Sequence, residues 1–382
     1  MQVQGYFDIR FEAVRDAFAA LFENAQERGA AVCIQVGGET VVDLWAGSAD
    51  RQGEQPWHSD TLVNVFSCTK PFAAVAALQL GGEGRLELDA PVADLWPEFA
   101  AAGKQQISLR QLLSHRAGVT AIRQRLAAET LYDWDAMCAA LAAEAPWWTP
   151  GEAHGYAPLT YGWLIGELLR RADDCSAGRS IIARTTEPLG LDFHVGLAAS
   201  EFDRVSDVGR TKGNPGDDDA KRLVEVMLGE PQAMSTLSFS NPPSAMTSTN
   251  TEQWRSMEQP AANGHGNARS LAGFYAGLLD GRLLDTALLA EMTREHSRGP
   301  DRTLLTSTRF GLGCMLEQAD HPSGSFGLGP QAFGHPGAGG CLGFADPQRQ
   351  LAFGFVTNSL GPYVLMDPRA QALARAAGQC LG

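Results

Sequence analysis

Apolar residues recur every three or four positions between residues 8 and 26, where Phe11, Val14, Phe18, Leu21 and Phe22 share a face, and this spacing predicts an amphipathic helix. The period then shortens. Residues 31–36 and 40–45 read as two strands around Gly37-Gly38-Glu39, the composition of a hairpin turn. A third element, an Ala-rich helix carrying Val75, Leu78 and Leu80, is expected over 71–80. From residue 86 to about 237 the helical period dominates. A short helix beginning at Leu109 and ending by Gly118, one over 134–143 and one over 161–171 are separated by Pro- and Trp-rich loops such as Pro146-Trp147-Trp148-Thr149-Pro150-Gly151.

Residues 213–265 form the least regular stretch, and long irregular segments in compact domains are often pocket walls, so substrate selectivity is expected there. A helix over 268–279 follows, and then strand patterns over 310–316, 340–345 and 351–357, with Asp346-Pro347 turning the last two. Asp367-Pro368 is a cap followed by proline at the first helical position and starts a closing helix. The class is therefore α+β. Residues 1–66 and 240–382 are expected to build one antiparallel sheet from both ends of the chain, flanked by helices; 67–239 would form an inserted, mainly helical subdomain, with the active site in the cleft between them.

Composition narrows the partners. The 382 residues carry 30 basic and 44 acidic side chains, a net charge of −14, which argues against nucleic acid and anionic membrane. No run approaches the ~18 apolar residues of a membrane span. The first residues lack a basic head followed by an apolar stretch, so a cytoplasmic protein is expected. Seven scattered cysteines without a Cys-x-x-Cys pair suit reduced thiols. Asp217-Asp218-Asp219 lacks the ligand register of a cation loop and reads as a solvated turn. His115, His154, His194 and His265 lack metal-ligand spacing and read as structural. Neither a metal nor a cofactor is expected.

The candidate chemistry begins at Ser67-Cys68-Thr69-Lys70-Pro71. A proline inside a helix removes the bond to the carbonyl four residues back, here that of Ser67, so the helix begins near Ser67 and Lys70 lies on the same face one turn on. A serine there sits among unpaired amides at the positive end of the helix dipole, where an oxyanion is favoured. Serine is also a common helix cap beside a solvated lysine, so the tetrapeptide alone leaves both readings open. Cys68 points away from the lysine's face and reads as packing. Tyr156 follows the Trp-Pro loop, either as a buried aromatic or as a phenol aimed into a cleft. Phe333-Gly334-His335-Pro336-Gly337-Ala338-Gly339-Gly340 is dense in glycine, which lets backbone approach a ligand closely, and lacks the Lys-Ser/Thr of a phosphate loop.

Taken with Val41-Val42-Asp43-Leu44-Trp45, Leu112-Leu113-Ser114-His115, Pro150-Gly151 and Asn263-Gly264-His265-Gly266, these motifs resemble, over nearly the whole chain, the serine β-lactamase and penicillin-binding-protein superfamily, and within it the family VIII carboxylesterases. The resemblance implies a β-lactamase-like fold and a cofactor-free serine esterase acting on small, short-chain carboxylic esters through an acyl-enzyme. Ser67 would be the nucleophile, with Lys70 and Tyr156 as the other catalytic residues, either of them the base. The amides of Ser67 and Ala338 would form the oxyanion hole, and His335, Gly337 and Gly339 would line the substrate.

Two departures from the superfamily pattern bear on the substrate. The Tyr-x-Asn position of penicillin-recognising members holds Pro158, and Lys-Thr-Gly is replaced by His335-Pro336-Gly337, which has neither the hydroxyl nor the fixed cation that binds a carboxylate. Neutral esters are therefore expected. The alternatives are a β-lactamase, a D-amino-acid peptidase or an acyltransferase of the same superfamily, and, from another class, a non-catalytic binding protein on this fold. No Gly-x-Ser-x-Gly is present to suggest an α/β-hydrolase esterase.

Overall fold

The computed structural model describes all residues except 1, 25, 212–217 and 244–246. Nine strands form one sheet: β1 (Gln4–Phe7), β2 (Gly29–Val36), β3 (Glu39–Gly47), β4 (Ser297–Pro300), β5 (Ser307–Phe310), β6 (Met315–Leu316), β7 (Phe333–Pro336), β8 (Leu342–Asp346) and β9 (Leu351–Thr357). Their order is β1-β3-β2-β9-β8-β7-β6-β5-β4, antiparallel throughout. The central pairing joins the two ends of the chain, with Ile34 opposite Phe353 and Val32 opposite Phe355.

Alternation along β2 assigns its side chains to two cores, as the two-residue period of a strand requires. Ala30, Val32 and Ile34 face the helices α1 (Glu12–Glu23) and, at the other end of the chain, Pro368–Leu381; Ala31 and Cys33 face the helix Ala268–Leu279 and the rest of the molecule. The second face is kept small. A Cβ at Gly354 would stand 2.2 Å from the Ala268 carbonyl, so that helix lies directly on the sheet.

Five further helices are α2 (Lys70–Gly82), α3 (Thr160–Asp173), α4 (Asp218–Gly229), α5 (Ala268–Leu279) and α6 (Pro368–Leu381). Residues 70–78 of α2 are fully buried, and its Ala-rich surface lets neighbours approach on every side. Phe72 is stacked between Phe193 at 3.9 Å and Phe274 at 3.8 Å, joining α2 to the floor of the molecule.

The chain differs from the sequence expectation in several places. A strand, β1, precedes the first helix and shortens it to Glu12–Glu23. The run 310–316 divides into β5 and β6, because Gly313 at φ +71° turns the chain. Residues 333–336, the first half of the glycine-dense stretch and outside the strand pattern expected over 340–345, are strand β7, paired with both β6 and β8. The stretch 213–265 is more helical than its pattern predicts, with α4 and the helices Met234–Ser240 and Glu252–Ser256. Gly213 to Asp217 lie outside the described residues, but Asp218 and Asp219 open α4 and pair one turn on with Lys221 and Arg222. The mainly helical middle of the chain also contributes strands, since Phe193–His194 and Val205–Ser206 join Leu62–Asn64 and His265–Gly266 in a small second sheet. Among the described residues no helix is long and apolar enough to cross a membrane.

Candidate active site

Ser67 stands where the chain leaves strand Leu62–Asn64 and enters α2 through one turn of 3₁₀-helix. Phe66, immediately before it, has φ +49° and ψ −128°, a conformation that costs a residue with a Cβ on the order of 1–3 kcal/mol. Local bonds hold it there. The Phe66 carbonyl accepts from the Thr69 amide at 3.0 Å and from the Thr69 hydroxyl; that hydroxyl oxygen accepts in turn from the Gly264 amide at 2.9 Å. The Val65 amide donates to the Gly264 carbonyl at 2.8 Å. The chain therefore bends sharply at residue 66 and presents Ser67, half-buried, at the N-terminal end of α2.

Lys70 is completely buried, and its Nζ lies 3.1 Å from Ser67 Oγ, 2.9 Å from the Pro158 carbonyl and 3.1 Å from the Ala261 carbonyl. No carboxylate pairs with it among the described residues. Burial without a counter-ion disfavours the ammonium and holds the lysine pKa well below its ordinary value. Tyr156 is brought in from the opposite side, its hydroxyl 2.7 Å from Ser67 Oγ and its ring centroid 4.7 Å from Lys70 Nζ. Burial pushes this phenol upward, so it stays protonated.

The backbone of Tyr156 is clamped. Its amide donates to both oxygens of Asp301, at 2.9 and 3.1 Å; the Gly155 amide donates to the His115 carbonyl at 3.0 Å, and the Ala157 amide to His115 Nδ1 at 3.2 Å. Asp301 also accepts from the amides of Thr303 and Leu304 and from the Thr308 hydroxyl, which lies 2.8 Å from His154 Nε2. His115 and His154 thus serve the loop that carries the tyrosine. The Asp301 contact was not foreseen from sequence: Gly299-Pro300-Asp301 signals a turn, but nothing local says that this carboxylate reaches a residue 145 positions away.

The glycine-rich segment forms the third wall. Gly337 lies so close to the serine strand that a Cβ would stand 2.3 Å from the Val65 carbonyl. Among the described residues neither the Ser67 amide nor the Ala338 amide has a backbone acceptor, whereas Gly337, Gly339 and Gly340 donate to Cys341, Tyr363 and Gly337. Cys68 is buried, its Sγ donating to the His335 carbonyl at 3.2 Å. His335 is buried as well. Desolvation takes its pKa down to about 3, so the imidazole is neutral; Nδ1 lies 2.7 Å from the Pro336 carbonyl.

Arg369, at the start of α6, braces this turn from behind. It donates to the Gly339 and Ser359 carbonyls, each at 2.8 Å, and pairs with Asp367 at 2.8 Å and Glu27 at 2.7 Å. One guanidinium serves two buried carboxylates, and burial drives the Glu27 pKa up to about 7. A carboxyl raised above its unfolded value binds more protons in the folded state, so between about pH 4.5 and 7 its contribution to stability falls as pH rises. Glu27→Gln is expected to flatten that fall by on the order of 2–3 kcal/mol, measured by urea unfolding at pH 5 and pH 8.

A strained turn presenting serine at a helix start, a buried lysine and tyrosine at its oxygen, and a glycine-rich strand end alongside are carried here on a mixed sheet-and-helix frame. This chain belongs to the Beta-lactamase family, whose model matches residues 14–377. The crystal structure of a family VIII carboxylesterase is 38% identical over the full length of both chains, with a TM-score of 0.90. A penicillin-binding protein homolog from Caulobacter crescentus is also 38% identical over both full lengths, with a TM-score of 0.89. The esterase/beta-lactamase LipL of Mycobacterium tuberculosis is 32% identical across 96% of this chain and 85% of its own.

Proposed function

We propose that the protein is a serine hydrolase, a carboxylesterase that cleaves small neutral carboxylic esters through an acyl-enzyme on Ser67, in the cleft between the sheet (residues 1–66 and 240–382) and the mainly helical region (67–239). The observation that carries this reading is Lys70 Nζ and the Tyr156 hydroxyl both at hydrogen-bonding distance from Ser67 Oγ, with no carboxylate paired with the lysine among the described residues. A neutral amine has two N–H groups and one lone pair; its N–H groups go to the Pro158 and Ala261 carbonyls, and the lone pair is left for the Ser67 proton. Tyr156, held protonated by burial, donates to Ser67 Oγ and is placed to pass a proton to the departing alkoxide.

Ser67 Oγ bonds to the carbonyl carbon as its proton moves to Lys70, and the oxyanion is held by the amides of Ser67 and Ala338. The C–O bond to the alcohol then breaks and the proton returns to the leaving oxygen. Water, activated by the same lysine, releases the acid and restores Ser67. Gly337 and Gly339 set the shape of the wall that the ester lies against. Carboxylate-bearing substrates are disfavoured: His335 is neutral, Pro336 has no hydroxyl, and the buried cation behind the turn, Arg369, is engaged by Asp367 and Glu27.

Intact-protein mass after brief exposure to p-nitrophenyl acetate tests the reading. The expected result is one acetyl adduct and a nitrophenolate burst in the wild type, neither in Ser67→Ala, and little turnover of a chromogenic cephalosporin. Rapid cephalosporin hydrolysis would favour the β-lactamase alternative. A folded protein with no Ser67-dependent adduct would favour a binding role.

A further inference from the structure

The two carbonyls that accept from Lys70 Nζ belong to separate parts of the chain, Pro158 just before α3 and Ala261 in the turn beyond the helix Glu252–Ser256. One side chain joins them. Gln259 Nε2 donates to the carbonyl of Leu159, the residue after Pro158, and Gln259 Oε1 accepts from the Ala261 amide, both at 2.7 Å. A carbonyl only accepts and a backbone N–H only donates, so these partners fix which end of the Gln259 amide is which. Helix α3 leaves room for it: a Cβ at Gly162 would stand 2.6 Å from Gln259 Oε1 and 2.9 Å from the Ala261 nitrogen.

Gln259 is anchored in turn by Asn263, the first residue of Asn263-Gly264-His265-Gly266. The Gln259 amide donates to Asn263 Oδ1 at 2.9 Å, its carbonyl accepts from the Ala262 and Asn263 amides at 3.0 and 3.2 Å, and Asn263 Nδ2 donates to the Trp254 carbonyl at 3.0 Å. Both side chains are fully buried. Gly264, next in the chain, bonds to Val65 and Thr69 on either side of Ser67. The turn 259–264 thus touches the serine turn through one residue and the acceptors of the lysine through another.

We infer that Gln259 is a positioning residue for the catalytic base. By tying 158–159 to 261 it sets the separation of the two carbonyls that take the N–H groups of Lys70, which leaves the lone pair for Ser67. If either carbonyl withdraws, an N–H of the neutral amine turns toward Ser67 Oγ, and the amine donates where it must accept. The inference rests on the esterase reading above. It gives part of the irregular stretch at 213–265 a role in proton transfer.

The test is the acylation rate with p-nitrophenyl acetate, followed by stopped flow in the wild type, Gln259→Met, Lys70→Met and the double variant. Gln259→Met keeps the side-chain length and loses both hydrogen bonds; it should slow acylation roughly ten- to hundredfold, the scale of a displacement of about 1 Å at a reacting group. In the Lys70→Met background the same substitution should change the residual rate by less than about twofold, because Gln259 acts through the lysine. The pH profile of Gln259→Met should keep the acid limb of the wild type at a lower plateau, since Lys70 remains the base. Gly162→Ala retains every polar group while crowding the same amide, and should give a smaller loss that also disappears without Lys70. Equal losses with and without Lys70, or a Gln259→Met rate within about threefold of the wild type, overturn the inference. Should Gln259→Met fail to fold, the Gly162→Ala cycle decides by whether its loss depends on Lys70. In every case Ser67-dependent acetylation of the wild type leaves the esterase reading standing; its absence removes both.

Discussion

Replacing Lys70 by Met is expected to lower kcat/KM for p-nitrophenyl acetate by about 10²–10⁴-fold, the range by which a positioned general base contributes. KM should change little, because the amine touches Ser67 and two backbone carbonyls rather than the ester itself. The pH dependence separates the base from the phenol. In the wild type, activity falls on the acid side as the amine becomes protonated, and this limb lies far below pH 10.5, where a free lysine titrates, because burial depresses the folded-state pKa. Burial shifts the Tyr156 phenol the other way, so a phenolate base would instead demand alkaline pH. Loss of the acid limb in the residual activity of Lys70→Met would assign it to Lys70. An acid limb unchanged in that variant would show that another group accepts the proton. Tyr156→Phe should keep the acid limb while slowing acylation by poor leaving groups such as alkyl alcohols more than by nitrophenolate.

The second large effect is expected from a single methyl group. In Gly337→Ala the new Cβ would meet the Val65 carbonyl at 2.3 Å and Cys341 Cβ at 3.0 Å. Both neighbours are fixed: Val65 is bonded to Gly264, and Cys341 is bonded to the Gly337 amide itself. The turn must therefore move away from the serine and take the Ala338 amide with it. Removing one oxyanion donor typically costs about 10²–10³-fold in kcat, and a loss of that size is expected here. Acylation rates from stopped-flow nitrophenolate release, taken with the thermal midpoint, distinguish displacement of the turn from unfolding. A variant that folds and acylates within fivefold of the wild type would exclude the Ala338 amide from the oxyanion site.

Where local pattern is strong, the sequence expectation and the structure coincide. The helices at 134–143 and 268–279 and the strand at 351–357 have the same bounds in both, and Asp367 caps α6 by accepting from the Arg369 amide, as Asp-Pro predicts. The spacing of Ser67 and Lys70 and the loop before Tyr156 are local signals that left two readings open, and the superfamily resemblance named all three; the fold sets Lys70 Nζ at 3.1 Å and the Tyr156 hydroxyl at 2.7 Å from Ser67 Oγ. What escaped notice depends on partners distant in the chain. Strand β7 contains a glycine and a proline in four residues and is a strand only because β6 and β8 pair with it. The carbonyls of Pro158 and Ala261, which accept from Lys70 Nζ, are backbone groups that residue identity does not reveal. Arg369 and Glu27 are 342 positions apart and look like ordinary surface charges until the sheet closes.

That closure has a consequence for how the molecule comes into being. Strand β2 lies between β3 and β9, so after the first hairpin forms during synthesis its second edge stays open until residues 351–357 leave the ribosome. For more than three hundred residues of translation, a strand reading Ala-Ala-Val-Cys-Ile offers unpaired amides and carbonyls to any other nascent chain. The inserted helices can pack meanwhile, since their contacts are largely local, whereas the central sheet pairing carries the loop-closure cost of nearly the whole polypeptide. Shielding of that edge during elongation is therefore expected to raise the yield of folded protein. Slower translation upstream of residue 351 lengthens the exposed interval and increases aggregation.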